Sequence, residues 1–254
     1  MRSIPLTRLA SSAICAFLLL SLSACGFAPS GAAPSPGPAA QPSSTGGECA
    51  NSYFPVVQGA TWTYKVSGRL SGTLSRTITR VTPSGFTDQH TAPGGVQTIE
   101  WDCSDGIIVR QPDTAPSGLI PAGDLTADFH TTDTSGVTVP DNLGPDAKWN
   151  QESTMEGTVS LSGQSAPAHN DITTGCSALS HDSIPVPAGT FMALRADCKT
   201  DEKVTVTLNG ADIPTDILTI STIWYAPGVG MVKLEQGASD GAKTTFELAS
   251  YYIP

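Results

Sequence analysis

From Thr61 to the C-terminus the chain is written in short runs whose apolar residues recur at every second position. Val204, Val206 and Leu208 alternate with Lys203, Thr205 and Thr207, and Trp62, Tyr64 and Val66 alternate with Thr61, Thr63 and Lys65. In 216–224, Leu218, Ile220 and Trp224 share one parity against Thr219 and Ser221; near the end, Phe246, Leu248 and Tyr252 alternate with Glu247 and Ala249. A period of two with one polar face predicts antiparallel strands wet on one side, with the apolar set turned inward. Further strands are expected at 75–81, 96–103, 107–110, 154–162, 171–180 and 191–197. These runs are rich in Thr, Val and Ile and are broken by Gly, Pro, Asn and Asp. No long stretch has helical periodicity and no repeat is visible. The reading is mostly β, with one antiparallel domain over residues 48–254.

The first residues follow another pattern. Arg2 and Arg8 precede a ten-residue apolar run, 13–22, and then Leu22-Ser23-Ala24-Cys25. The run is too short to span a bilayer, which takes about 20 residues, and its flanks are those of an export signal. Leu-Ser-Ala-Cys resembles the lipobox of bacterial lipoproteins. That resemblance implies cleavage after Ala24 of a signal peptide, residues 1–24, and a diacylglyceryl group on the thiol of Cys25. Two acyl chains hold a protein stably to a membrane at roughly 0.8 kcal/mol per buried methylene. The expected location is extracytoplasmic, lipid-anchored to a bacterial cell membrane.

From Gly26 to Gly47 the sequence is almost wholly Gly, Ala, Pro and Ser, with Phe27 its one large apolar side chain. Such a segment buries too little to fold, so residues 25–47 are read as the lipidated cysteine and a disordered stalk. As a flexible coil it spans roughly 25 Å, and about 70 Å if proline keeps it extended.

Charge narrows the partners. The chain carries 13 basic and 23 acidic side chains, a net charge of −10. Loss of Arg2 and Arg8 with the signal peptide leaves 11 against 23, or −12. An acidic surface repels phosphates, so nucleic acid is not an expected partner.

Besides Cys15 and Cys25, four cysteines remain: Cys49, Cys103, Cys176 and Cys198. An even number in an oxidising compartment suggests two disulfides, and no Cys-x-x-Cys pair points to redox or zinc chemistry. Cys176 and Cys198 are symmetric about Pro187, inside the turn signal Pro185-Val186-Pro187-Ala188-Gly189. A hairpin about that turn sets the two cysteines nearly opposite each other, close to disulfide distance. Cys49 then pairs with Cys103 by elimination. This is one of three possible connectivities, and the register favours it.

Two segments bracket the folded part. Residues 49–64, with Tyr53-Phe54-Pro55, Gly59 and Trp62-Thr63-Tyr64, resemble the opening of a group of exported bacterial proteins of uncharacterised function. Trp224-Tyr225-Ala226-Pro227-Gly228-Val229-Gly230-Met231-Val232-Lys233 resembles the closing motif of that group, and 187–191 also fits. More loosely, the chain is similar to half-barrel lipoprotein carriers and lipid-binding lipoproteins. That similarity implies a curved antiparallel sheet, a half-barrel or open barrel, around an apolar cavity. The motifs carry no catalytic residue.

Candidate chemistry is sparse. Asp128 and His130, two apart, would share a strand face, as would His169 and Asp171; His181 adjoins Asp182. Glu152 and Glu156 are the carboxylates nearest to a glycosidase pair. There is no Gly-x-Ser-x-Gly elbow and no His-x-x-x-His pair, and no catalytic or metal residue is assigned. Asp141, Asn142 and Asp146 gather oxygens around Gly144, as Asn209, Asp212 and Asp216 do around Gly210, and oxygen-rich loops suit extracellular calcium. Neither has EF-hand spacing, and turn formation accounts for both. The expectation is a non-enzymatic, membrane-tethered domain that binds an apolar small molecule or an envelope component. The alternatives are a protein-interaction module and a hydrolase built on Asp128 and His130.

Overall fold

The computed structural model describes residues 47–103, 106–110, 125–161, 164–238 and 241–254. The signal peptide, Cys25 and the stalk up to residue 46 lie outside them. The described residues contain no helix and form one antiparallel sheet of twelve strands. In chain order these are β1 (Thr61–Gly68), β2 (Gly72–Thr82), β3 (Gly85–Ala92), β4 (Gly95–Asp102), β5 (Ile108–Arg110) and β6 (Leu125–Gly136). They are followed by β7 (Lys148–Leu161), β8 (Gln164–Val186), β9 (Gly189–Leu208), β10 (Ala211–Ala226), β11 (Gly230–Ala238) and β12 (Lys243–Tyr252).

The spatial order is β5-β4-β3-β2-β1-β12-β11-β10-β9-β8-β7-β6. Every neighbour is a sequence neighbour except β1–β12, where the two ends of the domain meet. The sheet is curved and does not close. Among the described residues its edge strands β5 and β6 are joined by an antiparallel bridge beyond their ends, Ile107 to Val139. The core lies on the inner face, where Trp62, Tyr64, Ile78, Leu194, Val232 and Leu248 are buried.

Two-residue turns organise the long strands. Pro187–Ala188 joins β8 to β9, and Asn209–Gly210, both at positive φ, joins β9 to β10. Positive φ at both central residues is the turn geometry that matches the twist of a hairpin. Because Leu208 and Ala211 flank such a turn, they exchange both backbone hydrogen bonds. Along β10 the odd-numbered residues 211–219 therefore bond to β9, and the even ones point their backbone groups the other way. In β9 the even residues then bond β10, which makes Cys176–Cys198 a non-hydrogen-bonded pair with β8, the closer of the two kinds. Its Cα atoms are 4.1 Å apart and the disulfide forms across it; Cys49 is bonded to Cys103.

This register corrects several sequence expectations. Leu218 and Ile220 lie on the outer face, 36% and 50% exposed, while Ile213 and Ile217 take the inner parity. The β10 sequence has apolar residues on both parities, so alternation could not decide, and the turn does. Tyr252 is 63% exposed because a register shift opposite Thr63–Tyr64 leaves Ala249 as an extra residue and reverses the parity beyond it. The runs 191–197 and 203–208 are one 20-residue strand. β3 and β6, rich in Thr, Asp and His, are strands that no apolar alternation marked.

Both disulfides close loops of the unfolded chain, of 54 and 22 residues in sequence separation. The chain-entropy relation gives about 4 kcal/mol for the first and about 3 kcal/mol for the second. A Cys49→Ser/Cys103→Ser variant is expected to lose more stability in urea unfolding than Cys176→Ser/Cys198→Ser. The reverse order would assign the stabilisation to native-state packing instead of loop closure.

Candidate functional site

Three features of the sheet bear on function: a sealed core, an apolar cleft at one end, and a wing that extends beyond the core.

The sealed core is where the opening and closing motifs meet. The segment 49–57 crosses the inner face, burying Cys49, Phe54 and Val56. Asn51 donates from Nδ2 to the Pro140 carbonyl and accepts at Oδ1 from the Tyr53 amide. The closing turn packs on this segment: the Gly228 amide donates to the Ser52 carbonyl at 2.7 Å. From the other side Trp62 Nε1 donates to the Val229 carbonyl at 2.7 Å, and the Tyr64 hydroxyl to the Met231 carbonyl at 3.0 Å. Gly230 has φ +96°, and a Cβ there would come within 3.4 Å of Pro55 Cδ. The positive φ is what favours glycine there; a Cβ would only touch Pro55. These motifs are therefore one another's partners in a structural clasp.

Inside the clasp lies a buried charge. Asp88 is fully buried, Arg76 donates from Nε to its Oδ2, and His90 Nε2 is 3.2 Å from the same oxygen. The Arg76 guanidinium sits 4.3 Å from the Phe54 ring centroid and 4.8 Å from that of Trp62. Phe54 in turn packs on Phe86 and Trp101, which stack at 5.4 Å. Burial alone would raise the Asp88 carboxyl, but the Arg76 charge and the His90 hydrogen bond outweigh it and hold it below the usual carboxylate range. Burial pushes the Tyr225 hydroxyl up to about 12 and Tyr64 higher still, so both stay neutral.

The cleft, about 350 Å³, opens between the β1–β2 and β3–β4 turns and is lined by Val66, Leu70, Leu74, Ala92, Pro93 and Phe246, among others. The wing comprises the lengths of β6 to β10 beyond the point where β11 stops pairing with β10, at Thr219. On its inner face Phe129, Met155 and Ala168 form a small buried cluster flanked by Ala127, Val159, Ile172 and Val206. Toward β10 that face opens: Leu208, Ile213 and Ile217 are 44%, 47% and 38% exposed. The outer face is acidic. Across it the register aligns Asp128, His130 and Asp133 of β6, Glu152 and Glu156 of β7, and His169 and Asp171 of β8. Asp201 and Lys203 of β9 and Asp212 and Asp216 of β10 continue it. A shallow groove of about 540 Å³ runs there beside Thr173, Asp201, Lys203, Asp216 and Leu218.

No protein-family model and no curated protein matches the chain. Solved structures resemble it. A candidate lipoprotein from Parabacteroides distasonis overlaps at 16% identity and a TM-score of 0.48, over 80% of this chain and 99% of that one. A candidate exported protein with a YmcC-like fold from Bacteroides fragilis overlaps at 15% identity and 0.46, over 80% and 100%. The hypothetical lipoprotein YmcC of Escherichia coli overlaps at 8% identity and 0.32, over 77% and 85%.

The residues singled out in the sequence are scattered over these features. Asp128 and His130 are both exposed on edge strand β6. His169 is held on the outer face between Glu156, 2.7 Å from Nδ1, and Asp171, 3.1 Å from Nε2. Those two hydrogen bonds, Glu156 first, raise its pKa above the usual histidine value. The His181 ring lies 3.0 Å from the Tyr53 hydroxyl, and Asp182 accepts from Trp224 Nε1 at 3.3 Å. Asp141, Asn142 and Asp146 are exposed in the turn before β7, where the Asp146 amide donates to the Ala178 carbonyl. Among the described residues no group of three His, Cys, Asp or Glu side chains converges as a ligand set. Sequence reasoning missed Arg76, Asp88 and His90, because a charged residue at an inward position breaks the alternation that identifies a strand.

Removing one partner of a buried pair leaves the other uncompensated, at a cost of about 3–5 kcal/mol. Arg76→Met is therefore expected to lose that much in urea unfolding at neutral pH. Between the depressed folded pKa and the unfolded value of about 3.9 the unfolded chain binds the extra proton, so stability falls on acidification below about pH 4. Asp88→Asn should flatten that acid limb relative to the parent; parallel acid limbs in the two proteins would mean that Asp88 is not its source.

Proposed function

We propose that this chain is a lipid-tethered extracytoplasmic domain that acts by non-covalent recognition of another protein, with the wing as its recognition surface. The tether rests on the Arg2, Arg8 and Leu22–Cys25 pattern, and the compartment on the same pattern together with the two disulfides. A non-enzymatic role is favoured because the candidate pair Asp128 and His130 lies exposed on edge strand β6, outside the residues that line the end cleft, and the other three histidines are held by structural contacts. His90 serves the Asp88 pair, His169 is clamped by two carboxylates, and His181 meets Tyr53.

One observation carries the choice of surface. Every residue of 211–218 is exposed on a strand paired on one side only, among Leu208, Ile213, Ile217, Leu218 and Ile220. Clustered exposed apolar side chains bordered by charge mark contact surfaces. Among the described residues the inner face of the core is filled by the segment 49–57 and its aromatic neighbours. A photo-crosslinking residue at Ile213 of the full-length protein in cells is expected to give a product of defined mass, and one at Lys65 to give none. Equal labelling from both positions would remove the wing from the reading.

A second reading, an apolar small molecule, is favoured by the cleft beside Leu74 and Phe246, whose volume falls within the range of small-ligand sites. Native mass spectrometry of the detergent-released protein would then find a bound adduct that Leu74→Trp, by filling the cleft, displaces. An adduct unchanged by that substitution places the ligand elsewhere.

A further inference from the structure

The open side of β10 has a definite chemistry. The Asn209–Gly210 turn directs the odd residues' backbone groups to β9, which leaves the even residues facing outward. The amides of Asp212, Asp216 and Leu218, and the carbonyls of Asp212, Pro214 and Asp216, face a side on which no described strand lies until β11 begins opposite Thr219. Pro214 stands on this parity, so its missing N–H costs the β9 ladder nothing, the placement in which a sheet tolerates proline.

The side chains bordering that edge sort by face. Ile213 and Ile217 lie on the inner face, continuous with Val206 and Ile172. Asp212, Asp216 and Leu218 lie on the outer one. Asp212 accepts from the Thr207 hydroxyl at 2.8 Å, and Asp216 is opposite Lys203, which also faces Asp171. Beyond these two rows the outer face adds further carboxylates, so its balance is acidic.

We infer that β10 accepts an extended segment of another protein as an added strand, in which basic residues alternate with apolar ones. Backbone bonds to the even residues of 212–218 supply the docking. The added strand's apolar side chains extend the inner-face row past Ile213 and Ile217, and its basic side chains lie beside Asp212 and Asp216. Two features select this occupant. An added strand alternates faces with period two, as its template does. The acids repel a second copy of this acidic chain, so self-pairing is disfavoured while a basic strand is drawn in. Of the two strands that end the sheet, β5 is only 3 residues long and β6 is less suited because a register shift after Thr131 interrupts its ladder.

The inference rests on the wing as the recognition surface, and its test separates the two. The probe is a labelled peptide of alternating lysine and valine, long enough to span 211–218, titrated into the full-length protein in detergent. Its glutamate–valine counterpart serves as control. The basic peptide is expected to bind and to slow hydrogen exchange at the amides of Asp212, Asp216 and Leu218. Asp212→Asn/Asp216→Asn should weaken it about fivefold, and added salt should act in the same direction. Leu218→Pro, which removes an edge N–H and no bond to β9, should weaken it as well; should that variant not fold, the exchange pattern decides alone. Equal binding of the two peptides, protection on β6 instead of β10, or dimerisation of the chain through β10 would overturn strand addition. Wing crosslinks that persist when the peptide fails would overturn it while leaving the wing as a surface; loss of both would overturn the two readings together.

Discussion

The turns Pro187–Ala188 and Asn209–Gly210 set the register of β8, β9 and β10, and a slip of one residue would turn every side chain of the wing over. The cross-strand disulfide, the apolar inner row and the acidic outer row all follow from that register. Cys176–Cys198 pins it covalently at the base of the wing, where Trp149 lies in the same row beside Cys176. Further out, ladder bonds, the small cluster around Met155 and cross-strand side-chain contacts such as His169–Glu156 and Asn170–Glu202 hold the strands together. A sheet buried on one face only, and there only in part, depends on an exact register to keep its apolar row inward and its acidic row outward.

The core answers a different constraint. A curved sheet that does not close leaves its concave side to be filled, and the chain fills it with its own N-terminal segment. Laying 49–57 across the inner face brings Phe54 onto Arg76, and Arg76 brings Asp88 inward with it. Arg76 Nη2 and Asp88 Oδ1 are buried without hydrogen bonds, so the pair is not a stability optimum. Its geometry instead ties β2 to β3 and orients the guanidinium between Phe54 and Trp62, the residues that position the clasp. Covering the inner face in this way leaves the end cleft and the wing as open apolar surfaces among the described residues.

How far this was legible in the sequence depended on which physical signal each element carries. Strands with one apolar parity, such as β1 with Trp62 and Tyr64, could be read directly, and the open curved sheet follows the architecture that the resemblance implied. The cysteine argument worked through a compensation. The β8–β9 turn is centred half a residue beyond Pro187, which by itself would set Cys176 against Lys199. A register shift between Ala178 and His181 restores the pairing with Cys198. By contrast β10 is apolar on both parities, so its faces could be assigned only once the turn was known. β3 hides its identity by burying Asp88 where an apolar residue was expected, and its partner Arg76 lies on another strand. The segment 49–57 has no alternation because it packs as an irregular strap.

An exposed sheet edge is ordinarily a hazard, and proteins guard it with proline, charge or bulges. β6 has the bulge, and β10 has Pro214, Asp212 and Asp216. If guarding were the whole explanation, the apolar residues beside the β10 guards would be a poor choice, since Ile213 and Ile217 on the inner parity increase the very tendency that the acids suppress. Thr134 on β6, and Thr215 on β10 itself between Ile213 and Ile217, stand exposed on the same inner parity with no loss of strand propensity. The combination of apolar residues on one parity and acids on the other acts as a filter on charge. It discourages association among copies of an acidic chain and lowers the barrier for a basic one. A single change of sign at the acids would remove the filter without touching the ladder, so the specificity of this edge resides in two side chains and its affinity in the backbone.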